Sequence, residues 1–222
     1  MIEECVYIIP LILSKSLEPQ RNELEQVLIS AQRRIRDFAK QYGWKNLTRD
    51  SFADCAEIYD NKDEFDLALI RLTGSDPLIK IPITYSAVLQ NRIILSVSPE
   101  LYAQNYPESI EDKYFEKLIA HEIAHRLHIR ILDGNEDAMG PIWFFEGFAI
   151  YASGQFENYS FELDSKEIWK IVRNTKRRNY KKYSSVFRYF LKKASIHDLI
   201  EKAKTEDFLK WLQKMEDKFC LV

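Results

Sequence analysis

The sequence predicts an α+β protein in which a mixed lobe precedes a helical lobe. Alternating apolar residues, typical of strands, occur before about Ser98 and are interleaved with helical stretches. From Ser109 onward, apolar residues recur almost wholly at helical steps of three and four. The 222 residues are 46% hydrophobic and 13% aromatic, which is enough to bury a substantial core. We predict one domain, with an N-terminal lobe of about 1–132 and a C-terminal lobe of about 133–222.

The chain begins with the apolar run "MIEECVYIIPLILSKS". Two glutamates precede its apolar part, Pro10 interrupts it, and it is far too short to span a bilayer. We predict a strand or a packed arm, with a truncated signal anchor as the alternative.

The first helix is predicted from an apolar stripe that ends at Gly43, a residue suited to a left-handed helix end. The stripe predicts core packing, and its members are Leu24, Val27, Leu28, Ala31, Ile35, Phe38 and Tyr42. Alternating residues then predict strands at 55–60 and 79–86, with a short helix at 63–72 between them. A turn at Gln90-Asn91 leads into a further strand, "NRIILSVS", at 91–98.

A helix with an unusual histidine content follows. The stretch "KLIAHEIAHRLH" (117–128) holds three of the four histidines of the chain. Ser109 and Asp112 form a predicted capping pair before it, and Asp133-Gly134 is the predicted end. Its helical spacing is carried by Phe115, Leu118, Ile119, Ala124, Leu127 and Ile131.

The HEIAH segment has the spacing of a metal site. At 100° per residue, His121 and His125 project from one face a turn apart, so both imidazoles can reach one ion at ~2.0–2.1 Å. Glu122 lies beside them, where it can contact a water rather than the ion. In zinc hydrolases this glutamate takes the proton of the water that attacks a carbonyl. A buried helix with a hydrogen-bonded histidine pair is the alternative.

A third ligand distinguishes the two interpretations, because a catalytic zinc site needs three protein ligands and an open position. We expect His128 to be a second-shell or core residue rather than a ligand, since seven residues at ~1.5 Å each place it about 10 Å along the helix from His121. Glu146 lies in "GPIWFFEGFAIYASGQF", a helix predicted to begin at Pro141. A carboxylate among aromatic residues is costly to bury unless it is paired or binds metal. The alternative, an exposed Glu146, requires exposed phenylalanines on both sides.

Together, "HEIAH" and "WFFEGFAIYAS" resemble the gluzincin metallopeptidases of the peptidase MA type, and most of all the aminopeptidase-like branch with its W-x-x-E-G-x-A-x-Y motif. The resemblance implies a zincin-like fold, with the zinc helix at a cleft between the lobes. It also implies zinc as cofactor, His121, His125 and Glu146 as ligands, and Glu122 as general base. The two motifs are specific, while the likeness over about 16–215 is only a matching order of elements.

The chain departs from that branch in one motif. No G-x-M-E-N segment, which binds the free amine of aminopeptidase substrates, occurs between Ile79 and Ser98. The IrrE-like regulatory proteases fit less well, because "EGFAIYA" does not reproduce their E-x-x-A-N-x-F-A motif. In the gluzincins the strand before the zinc helix usually pairs with the extended substrate, which implies this role for "NRIILSVS".

Gluzincins also need a hydrogen-bond donor for the negatively charged oxygen of the transition state. In "NYKKYSSVFRYFLKKASIHDLI" the family register favours Tyr180, and Tyr183 is a close rival one turn later. The alternative is that both tyrosines only pack on the helix. His197, near the end of the same predicted helix, is expected to be structural.

Charge and cysteine content limit the partners and the location. The net charge of −2 gives no signature for nucleic acid or an anionic membrane, and the basic run Lys170–Lys182 is expected to be a solvated face rather than a site for acidic peptides or polyanions. Cys5, Cys55 and Cys220 are too scattered for a disulfide framework or a cysteine metal site, which favours the cytoplasm.

The sequence thus predicts a zinc-dependent peptidase that acts on peptides or proteins and binds no nucleic acid and no membrane. It leaves the oligomeric state open, with a monomer slightly favoured. The alternative function is a noncatalytic metal-binding or peptide-binding regulatory domain that keeps the same fold.

Overall fold

The protein is described from a computed structural model that covers residues 7–159, 161–177 and 179–219. These ranges hold helices and one small mixed sheet, so the α+β class is confirmed. The chain divides into two compact units, and the division between Leu127 and His128 falls inside a helix. Within the described ranges, no helix has both the length and the apolar character of a membrane span. Cys5, Cys220 and the start of the N-terminal apolar run lie outside these ranges.

The elements follow one another in a simple order. The first unit contains β1 (Leu11–Leu13), α1 (Arg21–Gln41), β2 (Cys55–Tyr59), α2 (Lys62–Thr73), β3 (Ala87–Gln90), β4 (Ile93–Val97) and α3 (Pro99–Asn105). The division falls in α4 (Tyr114–Ile131). The second unit contains α5 (Ile142–Ser153), α6 (Ser165–Val172), α7 (Tyr180–Leu191), α8 (Ile196–Ala203) and α9 (Phe208–Phe219). Short 3-10 turns occur at 18–20, 45–48, 107–109 and 136–139.

The sheet has the strand order β1-β2-β4-β3. The first three strands in this order are parallel, and β3 runs antiparallel to β4, with which it forms a hairpin. Asn91 and Arg92 both have positive φ, 49° and 63°, which suits a tight hairpin turn between Gln90 and Ile93. The predicted strands at 55–60 and 91–98 are confirmed as β2 and β4. The turn predicted at Gln90-Asn91 lies one residue later, at Asn91 and Arg92.

The strand predicted at 79–86 is wrong. Residues 76–86 form a loop with two turns, closed by hydrogen bonds from Ile79 N to Asp76 O and from Tyr85 N to Pro82 O. The alternating isoleucines do not cover a core, since Ile79 and Ile83 are 55% and 63% exposed. The strand that pairs with β4 begins only at Ala87. The alternation was therefore a misleading signal, because among the described strands only β4 bonds to the backbone of this segment, and only at its last residue, Ser86.

The predicted helices of the first unit are confirmed as α1 and α2. Leu24, Leu28 and Ile35 on α1 are buried, and Gly43 follows the helix at φ +80°. In α2, the Asn61 side chain caps the first turn, and left-handed Gly74 ends the helix. The predicted capping pair before α4 is wrong: the helix begins at Tyr114, and the Ser109 hydroxyl donates to the Tyr106 carbonyl instead. Its predicted end is confirmed, because Asp133 and Gly134 both have positive φ.

A charged contact ties α4 to α1 within the first unit. Glu116 Oε1 accepts from Arg34 Nε and Nη2 at 2.9 and 2.7 Å, and Glu116 Oε2 accepts from Ser30 Oγ at 2.7 Å. Burial opposes ionisation of this carboxyl, but the hydrogen bonds and the guanidinium outweigh it, so the pKa of Glu116 lies below its ordinary value. The first turn of α4 is thereby fixed against α1.

In the second unit, α5 packs closely on α7. Gly147 makes this approach possible, because a Cβ atom at this position would lie only 2.8 Å from Phe187 Cβ. Trp143, Phe144 and Phe187 are fully buried around this contact. Pro141 precedes α5 as its N-cap rather than starting the helix as predicted. The predicted single helix around residues 180–200 is two helices, α7 and α8, and His197 is exposed near the start of α8.

Candidate metal centre

The two histidines of the HEIAH segment lie on one face of α4. His121 Nε2 and His125 Nε2 are 3.0 Å apart, and the rings meet edge to face at a centroid distance of 4.7 Å. Two nitrogens that bind one tetrahedral zinc ion at ~2.0–2.1 Å lie about 3.3 Å from each other. The helix therefore presents both imidazoles at nearly the separation that a shared ion requires.

Glu122 is turned towards the sheet of the first unit. Its Oε2 accepts a hydrogen bond from the Leu89 N–H of β3 at 3.2 Å. The hydrogen bond from Val97 N to Ser86 O determines which backbone groups of β3 point towards β4. The N–H and C=O groups of Val88 and Gln90 point towards β4, and the Leu89 N–H points away from it. Glu122 thus contacts the outer edge of β3.

The prediction that "NRIILSVS" pairs with an extended substrate is wrong, because this segment is not the edge strand. The strand β4 lies inside the sheet, with β2 on one side and β3 on the other, so it has no edge left for a further strand. The strand β3 lies at the end of the strand order and has an outward N–H at Leu89. A turn before this strand was predicted from the sequence, but which of the two hairpin strands becomes the edge depends on pairing with β2.

Glu146 is completely buried in α5, with Trp143 and Ile150 of the same helix also at 0% exposure. Its Oε1 forms an ion pair with Arg177 Nη1 at 3.0 Å. A buried carboxylate is unfavourable without a compensating charge, and Arg177 supplies one. The exposed-Glu146 alternative is therefore wrong.

His121, His125 and Glu146 form a group that could hold a metal ion. One potential ligand atom from each of His121, His125 and Glu146 lies within 4.8 Å of the others. Two imidazole nitrogens and one carboxylate oxygen are the donor set of catalytic zinc sites that keep a fourth position open. The donor set thus fits Zn²⁺, and the spacing of the histidine nitrogens fits it as well.

His128 has a different environment. Its ring is fully buried, stacks on Phe148 at a centroid distance of 4.4 Å and meets Phe144 edge to face at 6.0 Å. It packs among aromatic side chains, in agreement with the prediction that it belongs to the core or the second shell rather than to the ligands.

The two tyrosines of α7 differ in what their hydroxyls contact. Tyr183 is 2% exposed, and its hydroxyl donates to the Lys176 carbonyl at 3.1 Å. Tyr180, at the start of α7, is half-buried and accepts a hydrogen bond from Arg177 Nη1 at 3.4 Å. Arg177 therefore contacts both Tyr180 and Glu146.

Arg177 is not among the site residues predicted from the sequence; it lies within the basic run expected to be a solvated face. That expectation is wrong for Lys181, which is buried with its Nζ 4.0 Å from the ring centroid of Tyr159. Arg177 is exposed, but its guanidinium also reaches Glu146. The only sequence signal was the position of Arg177 three residues before Tyr180, which would place the two on one side of a helix or turn.

No protein-family model, curated protein or solved structure matches this chain. Its site is therefore interpreted from the geometry and chemistry of its own residues.

Proposed function

We propose that this protein is a zinc-dependent peptidase of the gluzincin type with a zincin-like fold. The observation that carries the proposal is the convergence of His121, His125 and Glu146, with Glu122 next to the first histidine on α4. A bound zinc ion would supply Lewis acidity that polarises the substrate carbonyl and acidifies water. The protein residues then have to move protons, stabilise charge and hold the substrate.

Glu122 is the general base in this proposal. It accepts the proton of the water that attacks the peptide carbonyl and passes it to the leaving amine. Glu122 suits this role because it is next to His121 in sequence but is not one of the three residues that could hold the metal. A noncatalytic metal-binding or peptide-binding domain would have no need for Glu122 at this position, which is why the enzyme is the preferred function.

Tyr180 is the proposed donor to the negatively charged oxygen that forms on the substrate. Its contact with Arg177 connects it to Glu146 within the second unit. Tyr183 is less suitable, because its buried hydroxyl is used by the Lys176 carbonyl. A donor of this kind acts mainly in the transition state.

The substrate class is an extended peptide or a protein segment. An extended chain can add to the outer edge of β3 through backbone hydrogen bonds, which fix its direction without regard to most side chains. The outward Leu89 N–H, which meets Glu122, supports this placement. The half-buried thiol of Cys55 and the scattered cysteines support activity in a reducing compartment such as the cytoplasm.

The test compares zinc-loaded wild type with Glu122→Gln on a diverse peptide pool. Glutamine keeps the size of the side chain and a hydrogen-bond acceptor for Leu89, but it cannot accept the proton. We expect equal zinc content in both proteins and a loss of about 10²–10⁴ in cleavage rate for the variant. Equal cleavage by both proteins would indicate a contaminating protease, and the site would then be one that binds peptides without cleaving them.

A further inference from the structure

The segment between α6 and α7 places a positively charged side chain next to Glu146 of α5. Arg177 lies in this segment, and its Nη1 reaches Glu146 Oε1 at 3.0 Å. The two partners differ in solvent access, because the Arg177 side chain is 50% exposed and that of Glu146 is 1% exposed. The guanidinium therefore extends from the surface to a carboxylate that is otherwise buried.

Two further contacts hold the same guanidinium. Its Nη1 donates to the Tyr180 hydroxyl at 3.4 Å, and its Cζ lies 5.8 Å from the ring centroid of Phe145, the neighbour of Glu146. A guanidinium is planar, always charged and rigid, and it stacks on aromatic rings. Arg177 thus fixes a residue of α5 relative to the first residue of α7.

We propose that Arg177 is a positioning residue that orients Glu146 towards the metal and Tyr180 towards the reacting carbonyl. The inference rests on the proposed function, since it assigns Arg177 a role in the same site. The ion pair at Oε1 would limit the rotation of the carboxylate before an ion binds. Groups that hydrogen-bond or pair with metal ligands contribute strongly to metal affinity, because they fix the ligand before the ion arrives.

The experiment measures zinc affinity by competition with a chromogenic chelator, and ligand geometry by the visible spectrum of the cobalt-substituted protein. The variants are Arg177→Gln, Arg177→Lys and the control Arg173→Gln. Arg173 is exposed, and its guanidinium lies over Trp169 at 5.4 Å, so the control removes the same charge without touching Glu146.

We expect Arg177→Gln to weaken zinc binding by about 10–100-fold and to change the cobalt spectrum. Arg177→Lys should recover part of the affinity, because it keeps the charge but loses the rigid planar group. Arg173→Gln should match the wild type in both measurements. Since the readout is metal binding, the inference does not depend on finding a cleaved peptide.

Wild-type zinc affinity together with an unchanged cobalt spectrum in Arg177→Gln would overturn the inference and leave the proposed metal site standing. An equal loss in Arg173→Gln would also overturn it, because the effect would then be one of general charge. If Arg177→Gln fails to fold, Arg177→Lys decides, and wild-type affinity in that variant overturns the inference. Absence of zinc binding in the wild type would overturn the inference and the proposed function together.

Discussion

Replacing each α7 tyrosine by phenylalanine should separate a catalytic hydroxyl from a structural one. Phenylalanine keeps the ring and removes only the hydroxyl. In Tyr183→Phe the lost contact is the 3.1 Å hydrogen bond to the Lys176 carbonyl, made by a side chain that is 2% exposed. A typical intramolecular hydrogen bond contributes about 0.5–1.5 kcal/mol to stability, so we expect a loss of about 1 kcal/mol. The turnover number should stay close to that of the wild type.

Tyr180→Phe should show the opposite pattern. The hydroxyl is half-buried and takes part in a long 3.4 Å contact with Arg177, so its loss should cost less than about 0.5 kcal/mol of stability. Loss of one donor to the charged oxygen of the transition state costs about 10²–10³ in turnover, or roughly 2.7–4 kcal/mol of activation free energy. The Michaelis constant should change little, because this hydrogen bond forms mainly in the transition state.

The assay combines urea unfolding with steady-state cleavage of one peptide that the wild type cuts. With a slope of about 1–3 kcal/mol per molar urea, a loss of 1 kcal/mol lowers the midpoint by about 0.3–1 M. Zinc content is measured in each variant, so that a loss of metal is not mistaken for a loss of catalysis. The assignment is refuted if Tyr183→Phe loses turnover at wild-type zinc content while Tyr180→Phe does not.

Three further predictions concern packing, pH and ligand identity. Gly147→Ala should destabilise the protein by about 1–3 kcal/mol in urea unfolding, because the added Cβ meets Phe187 Cβ at 2.8 Å. The pKa of Glu116 is lowered on folding from its ordinary 4.5, so its stabilising contribution is present above that pH and is lost as the pH falls through the folded value. Glu116→Gln should therefore be less stable than the wild type at pH 7 and lose less stability between pH 5 and 3. His128→Phe should retain zinc in elemental analysis, since the ring packs on aromatic residues, whereas Glu146→Ala should lose most of it.

Each of these predictions has a contrary outcome. Wild-type stability of Gly147→Ala would mean that α7 can shift away from α5 at little cost. An identical acid dependence of Glu116→Gln and the wild type would show that other carboxyls control unfolding in acid. Loss of zinc from a folded His128→Phe protein would make that histidine part of the metal site.

The sequence predicted the local parts of this structure because their causes are local. The α1 stripe follows from helical periodicity, and the adjacent imidazoles of His121 and His125 follow from the 3.6-residue turn of α4. Burial of Glu146 was predictable because the residues around it on α5 are aromatic and apolar. In each of these cases the evidence lies within one element of the chain.

The predictions that were wrong, and the site residue that was missed, depend instead on contacts between distant parts of the chain. The alternation at 79–86 looked like a strand, but strand formation needs a partner, and β4 pairs with residues 87–90 instead. The same long-range pairing determined that β3, and not β4, is the edge strand. Arg177 was missed because its ion pair with Glu146 depends on the path of the chain between α6 and α7. Sequence spacing contains little information about such a path.

The hydrogen bond between Leu89 and Glu122 has a consequence for how a substrate would enter. A peptide that adds to β3 needs the outward Leu89 N–H as a donor, and this N–H is already engaged by the Glu122 carboxylate. The incoming strand and the proposed base therefore compete for one hydrogen atom. Docking of the peptide would displace Glu122 from the backbone and free it for water, an exchange that a peptide-bound structure would reveal in the partner of Leu89. In an unliganded molecule the same bond protects the edge strand from pairing with another chain.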